Sequence, residues 1–200
     1  MPKILVFAGP NGSGKSTVTS GFGIVGEYVN ADMIQKGLKC DALTAAQIAQ
    51  ATREHLVSNG LDFTFESVMS TTRNIDLLES AKSKGYSIEC VYVLTVSPDI
   101  NMRRVRFRVK NGGHDVPVDK VYIRYRRALC LIPRLLHVCD KIRIFDNSLD
   151  FKTNENLIAE ADSGSTVIYP NEIWSEDMIL SLLSGNYPEE YLNNSTERFN

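Results

Sequence analysis

The chain has 200 residues, 43% of them hydrophobic and 23% charged, with a formal net charge of −2. That is the composition of one soluble globular domain able to bury a core without disulfides or metals, and no apolar run approaches the roughly 20 residues of a membrane span. The charge is unevenly spread: residues 101–143 carry 12 Lys/Arg against 3 Asp/Glu, and the remainder carries 10 against 21, so this block needs an anionic partner or a solvated face.

Short apolar runs alternate with helical stretches, the pattern of βαβ units around a parallel sheet. The first run, Ile4–Ala8, superficially resembles a secretion signal. It is too short for one and leads straight into a glycine-rich loop, so it reads as the buried first strand of a cytoplasmic protein. In chain order, further strands are predicted over Glu27–Asn30, Phe63–Glu66, Ile88–Thr95 and Lys141–Phe145, with a weaker sixth at Val167–Tyr169. The first and fourth are continuously apolar, as strands covered on both faces are. Helices are predicted over Lys15–Gly21, Ala42–Ser58, Asn74–Ser83, Pro98–Lys110 and Val118–Leu135. Thr44 is the expected cap of the second, with Gln47 three residues on. A single domain over residues 1–184 is expected, with a polar tail at 185–200. Cys40, Cys90, Cys130 and Cys139 form no CxxC pair, so they read as reduced, mostly buried thiols rather than a zinc site.

The loop Gly9-Pro10-Asn11-Gly12-Ser13-Gly14-Lys15-Ser16-Thr17 fits GxxxxGK[ST]. It follows an apolar strand and opens a helix, the context that gives the motif its meaning. Glycine permits the backbone angles that turn successive N–H groups toward one point, where they and the helix N-terminus cradle phosphates. Lys15 is placed to reach the terminal phosphates, and the Ser16 hydroxyl to ligate Mg²⁺. The motif thus points to a nucleoside triphosphate, ATP with Mg²⁺. An Asn-Lys-x-Asp guanine signature is absent, which argues against a GTPase.

In open α/β sheets the ligand sits at the carboxyl ends of the strands. Two acids fall there: Asp32, just after the second strand, and Glu66, ending the third. Transfer of a phosphoryl group to an alcohol needs a base for the hydroxyl proton, and one of these acids is the candidate. The competing readings are a helix cap for Asp32 and a solvated strand end for Glu66. Ser67, Ser70, Thr71 and Thr72 then line the following loop, either to bond a substrate or to form a turn.

Arg103, Arg104, Arg106 and Arg108 share a helical stretch, with Arg104 and Arg108 four apart on one face. Asn111-Gly112-Gly113-His114 ends it, and Arg124, Arg126 and Arg127 follow on the next. Two arginine-bearing helices over about residues 98–135 make a lid for the phosphates, since the planar guanidinium grips phosphate oxygens and stays charged. His114 reads as a turn residue that orients this lid. A solvated basic face and nucleic-acid binding are the other readings. The latter is disfavoured because no surface aromatics are interleaved.

These stretches together resemble the zeta-toxin-type P-loop kinases. The resemblance rests on Ala8–Thr17 with Asn30-Ala31-Asp32, on Phe63–Ser67, on Arg104–Pro117 with its Gly-Gly-His-Asp-Val-Pro run, and on Asp140 through Asp146-Asn147-Ser148. It implies an α/β three-layer fold similar to adenylate and shikimate kinases, with ATP as donor. It implies that Asp32 is the catalytic base and Glu66 a substrate-binding acid. It places Arg104 and Arg108 in the phosphate-contacting lid, Arg124 and Arg127 on a second arginine helix toward the substrate, and Asn147 near the nucleotide. The best-known members phosphorylate an amino-sugar hydroxyl of UDP-N-acetylglucosamine and are silenced by a small antitoxin. A small-molecule hydroxyl acceptor is therefore expected, with an antitoxin as candidate partner. The other functions weighed are an ATPase or nucleotide-dependent interaction protein without acceptor, and a kinase acting on nucleic acid through the basic block.

Overall fold

A computed structural model describes residues 1–113, 116–149 and 156–187. His114, Asp115 and most of the expected polar tail lie outside the described residues. Seven strands form one sheet: β1 (Lys3–Ala8), β2 (Glu27–Val29), β3 (Phe63–Ser67), β4 (Ser87–Leu94), β5 (Lys141–Asp146), β6 (Leu157–Asp162) and β7 (Ser165–Ile168). Their order is β2-β3-β1-β4-β5-β6-β7, parallel from β2 to β5 and antiparallel beyond. The sheet is thus one strand larger than the five or six expected.

The central strand explains the architecture. Side chains alternate across a strand, and both faces of β1 are apolar. Ile4, Val6 and Ala8 join the large core on one side, and Leu5 and Phe7 join a smaller cluster on the other. β4 divides likewise, with Cys90, Tyr92 and Leu94 in the large core and Val91 and Val93 opposite. The large core is closed by α3 (Ala42–Ser58), α4 (Arg73–Ser83), α7 (Ile132–Val138) and α8 (Glu176–Ser184), each contributing buried side chains to it. The smaller cluster is closed by α1 (Lys15–Thr19), through Val18, and by Phe22 and Val25 after it. α5 (Pro98–Lys110) and α6 (Val118–Cys130) form a hairpin held by Met102, Val105, Val116 and Val121.

Several elements differ from expectation. α2 (Ala31–Leu38) was anticipated only in the helix-cap reading of Asp32, and α8 and β6 were not foreseen. The long helix expected over Val118–Leu135 is two helices, α6 and α7, that meet at Leu131 with Pro133 in the first turn of the second. Proline has no N–H to continue the ladder, and its ring opposes the preceding turn. The cap of α3 is Asp41, whose carboxylate accepts from the amides of Leu43 and Thr44, and not Thr44. All four cysteines are free: Cys90 is buried, Cys40 and Cys139 half-buried and Cys130 exposed. Among the described residues no helix is long and apolar enough to cross a membrane.

The basic block divides. Arg134 pairs with Asp76 at 3.1 Å and Glu79 at 2.7 Å, and Lys141 with Glu160 at 2.8 Å. Arg143 lies over the Phe22 ring, 4.8 Å from its centroid. These charges hold secondary elements together at the surface. Of the arginines on α5 and α6, Arg104, Arg108 and Arg124 remain for the site, and Phe107 stands 71% exposed between Arg106 and Arg108, a surface aromatic among the arginines where none was expected.

Candidate active site

β1 is flanked by β3 on one side and β4 on the other. The chain leaves β1 at the point where strand order reverses, and the crevice of an open α/β sheet lies there. The loop Gly9–Thr17 occupies it. Gly12 and Gly14 have φ of 78° and 85°, the left-handed region that favours glycine. Gly14 is the N-cap of α1, and no side chain caps that helix. Its first amides are thus left for an anion.

Neighbouring elements hold the loop from outside. The Asn147 amide, after β5, donates to the Ser13 carbonyl at 2.8 Å. The Asn101 amide, on α5, donates to the Asn11 carbonyl at 2.8 Å, while its own oxygen accepts from the Thr95 hydroxyl at 2.5 Å. Arg124, on α6, donates to the Asn11 side chain at 3.4 Å. A β-carbon added to Gly14 would fall 2.0 Å from the Asn147 amide nitrogen, so backbone angle and neighbour both demand glycine. Gly14→Ala is expected to strain the loop by about 1–3 kcal/mol and to weaken Mg²⁺-ATP binding at least about tenfold. Chemical denaturation and calorimetry measure the two effects.

Lys15 is buried, and its ammonium donates to the carbonyls of Gly9 at 2.8 Å and Pro10 at 3.1 Å. An ammonium has three donors, so one remains for a ligand. Burial lowers the Lys15 pKa from its ordinary value and Arg108 adds to this, while Glu66 and Asp32 oppose it. The lysine is therefore desolvated and in the field of both acids.

The two acids stand differently. The Glu66 carboxylate accepts from the Asn30 amide at 3.0 Å and from the Tyr28 hydroxyl at 3.1 Å. Asn30 turns its own oxygen to the amides of Asp32 and Met33, at 2.8 and 3.2 Å, and so caps α2. Asp32 sits in the first turn of that helix, where no described side chain donates to its carboxylate, and it is exposed. Asn30 is the cap, so Asp32 is left for other work.

Lys15, Ser16, Thr17, Asp32 and Glu66 line one cavity of about 750 Å³, with Asn11, Gly12, Gly14 and Ser67. Arg104, Arg108 and Arg124 line it from the hairpin, as the four-residue spacing of the first two requires. Other expected residues lie elsewhere. Gly9 and Ser13 are buried behind the loop, and Asn147 spends its amide on Ser13. Ser70 and Arg127 are not among the lining residues, and Arg127 is exposed one turn away from Arg124. Tyr28, Asn30, Arg53, Asn74 and Asn101 had not been singled out. Asn30 stands beside Asp32, and Asn101 is an amide on an otherwise arginine-rich helix. Those were the available signals.

The cavity suits a triphosphate: positive side chains and open amides meet at its loop end. It also suits Mg²⁺ at Ser16, because this ion keeps phosphate and water oxygens as most of its ligands. No cluster of three or more metal-binding side chains occurs among the described residues.

Comparison with known proteins adds the following. A family model described as "Zeta toxin" matches residues 41–173. An uncharacterised protein of Haemophilus influenzae is 27% identical over 129 residues, 62% of this chain and 92% of that protein. A solved AvrRxo1-ORF1:AvrRxo1-ORF2 complex with sulphate ions superposes with a TM-score of 0.70 at 14% identity, over 94% of this chain and 65% of that one. The complex described as containing ATP gives 0.67 at 16% identity, with the same coverage. The PezAT toxin-antitoxin structure of Streptococcus pneumoniae gives 0.51 at 16% identity, over 96% of this chain and 86% of that one. The chain thus spans about 65% of the first two solved chains, and at these identities the likeness establishes the shared fold.

Proposed function

The chain belongs to the zeta toxin family of P-loop kinase-type proteins, and we propose that it transfers the γ-phosphoryl group of ATP to a hydroxyl of a small molecule. One observation carries this reading: the phosphate-loop lysine and two strand-end carboxylates line a single cavity, and both acids act electrostatically on that lysine. A plain nucleotide-binding module has no use for two negative charges beside bound phosphates.

In this reading the loop amides and Lys15 hold the β- and γ-phosphates, and Arg104 and Arg108 offset charge as the phosphoryl group moves. Ser16 would hold Mg²⁺, which would supply further charge neutralisation. Asp32 accepts the acceptor's hydroxyl proton as its oxygen bonds to phosphorus and the bond to ADP breaks. Glu66, held by Tyr28 and Asn30, orients the acceptor through its remaining lone pairs, with Ser67 beside it. Arg124 sits between loop and substrate. The separation of roles follows from the hydrogen bonds: the fixed acid positions, and the acid without donors takes the proton.

A sugar nucleotide such as UDP-N-acetylglucosamine is the proposed acceptor, on the resemblance in sequence. A small antitoxin is the proposed partner, supported by the toxin-antitoxin neighbour from Streptococcus pneumoniae. The test is to incubate the protein with γ-labelled ATP and a panel of UDP-sugars, nucleosides and cell extract. Label on a hydroxyl-bearing small molecule supports the reading. Label released only as inorganic phosphate favours an ATPase, and label on oligonucleotide favours a nucleic-acid kinase.

Arg108→Ala tests the lid. Loss of one charge-assisted hydrogen bond is worth about 1.5–3 kcal/mol, so ATP affinity or transfer rate is expected to fall by about ten- to a hundredfold. An unchanged rate with unchanged affinity counts against the lid.

A further inference from the structure

The hairpin of α5 and α6 has an inner and an outer side. Arg104, Arg108 and Arg124 line the cavity, and Met102, Val105, Val116 and Val121 hold the two helices together. The rest faces solvent. On α5, Arg103, Phe107 and Lys110 are exposed at spacings of four and three, one stripe of the helix. On α6, Lys120, Ile123 and Arg127 are exposed at spacings of three and four. Each stripe has a cation at either end and one apolar side chain between. Among the described residues none of these four cations forms an ion pair. The described acids of the two helices are Asp99, which accepts from the Tyr122 hydroxyl, and Asp119. Like charges gathered in this way repel one another, and a polyanion relieves the repulsion.

Two kinds of polyanion meet such a face, an acidic protein segment and a nucleic acid. A protein segment docks through a contiguous apolar core inside a polar rim, or through helix anchors laid in an apolar groove. These stripes have the opposite anatomy, one apolar side chain apiece with cations before and after it. That suits a phosphate backbone, which engages successive cations, and a base, which stacks on a ring whatever its sequence. Phe107 is the aromatic whose absence argued against nucleic acid, and its ring is open to a partner. A base must be splayed out of a duplex to stack on it, so the strand is single.

We propose that the outer face of the α5–α6 hairpin binds single-stranded nucleic acid, with its cations along the phosphates and Phe107 under one base. This surface is separate from the cavity and does not depend on the phosphotransfer reading. The strand is a docking partner here, not the acceptor, and the inner arginines stay available to ATP.

The test first fills the cavity. The protein is saturated with Mg²⁺ and a non-hydrolysable ATP analogue, and its binding to short fluorescein-labelled oligo(dT) and oligo(U) is followed by anisotropy across a range of salt concentrations. Saturable binding that weakens with salt is expected, and the tighter of the two oligomers identifies DNA or RNA as the source. Arg103→Gln with Lys110→Gln is expected to flatten the slope of log affinity against log salt by about 1.4, two phosphate contacts at about 0.7 each. Phe107→Ala is expected to weaken binding about five- to 150-fold with the slope unchanged. All these side chains are exposed, so the variants should keep the wild-type melting midpoint and analogue affinity. Three results would overturn the proposal: no saturable binding, binding lost when the analogue fills the cavity, or Phe107→Ala binding as tightly as wild type. Displacement of the oligomer by polyglutamate at equal charge concentration would also overturn it, in favour of an acidic protein partner. Analogue uptake is read separately, so failure of the docking face leaves the kinase reading standing.

Discussion

Lys15→Ala will reduce phosphoryl transfer by about a thousandfold or more, whatever the acceptor. The lysine is the one buried cation on the loop itself, and two of its three donors are already fixed on backbone carbonyls. Its charge is therefore aimed before ATP arrives, and no reorganisation is needed as the transition state forms. Alanine removes both the charge and the strut to Gly9 and Pro10. The fold should survive, because burial already penalises this charge and its removal relieves a desolvation cost. The check is a turnover assay beside a thermal melt. Normal turnover in a folded variant removes the loop from the mechanism.

Asp32→Asn will bind Mg²⁺-ATP at least as well as the wild type yet transfer about a hundred- to ten-thousandfold more slowly, the scale of general base catalysis. The amide keeps the shape and cannot take the proton. Asn30, and not Asp32, caps α2 through the amides of Asp32 and Met33, so the substitution leaves the helix start intact. A small rise in ATP affinity is expected, since a negative charge near the phosphates is removed. The measurement is single-turnover transfer at saturating ATP. Equal rates in the two proteins would assign the base elsewhere.

The features legible in the sequence are those that local chemistry dictates. The loop Gly9–Thr17 needs glycine where φ is positive, and that need is written in the sequence itself. Arg104 and Arg108 were placed on one face by helical period alone, and both reach the cavity. Features set by distant partners were not legible. Leu157–Asp162 contains alanine and glutamate that favour helix, yet it is a strand because the edge of β5 offers antiparallel pairing. Arg53 sits in a sequence that reads as a solvated helix surface. It is buried because β3 brings Phe65 beneath it. The part played by Asn30 is likewise tertiary: only the strand pairing of β2 with β3 brings it against Glu66. Arg127 shows the converse, a residue of the right type whose helix turns it outward.

The central claim is that one cavity holds a triphosphate still and readies an alcohol to attack it. The most direct measurement is the fate of the γ-phosphoryl group of ATP, followed in wild type and Asp32→Asn with cell extract as the source of acceptor. The account predicts a phosphorylated hydroxyl compound with the wild type and almost none with the variant. Release of inorganic phosphate alone, at equal rates from both proteins, would contradict it.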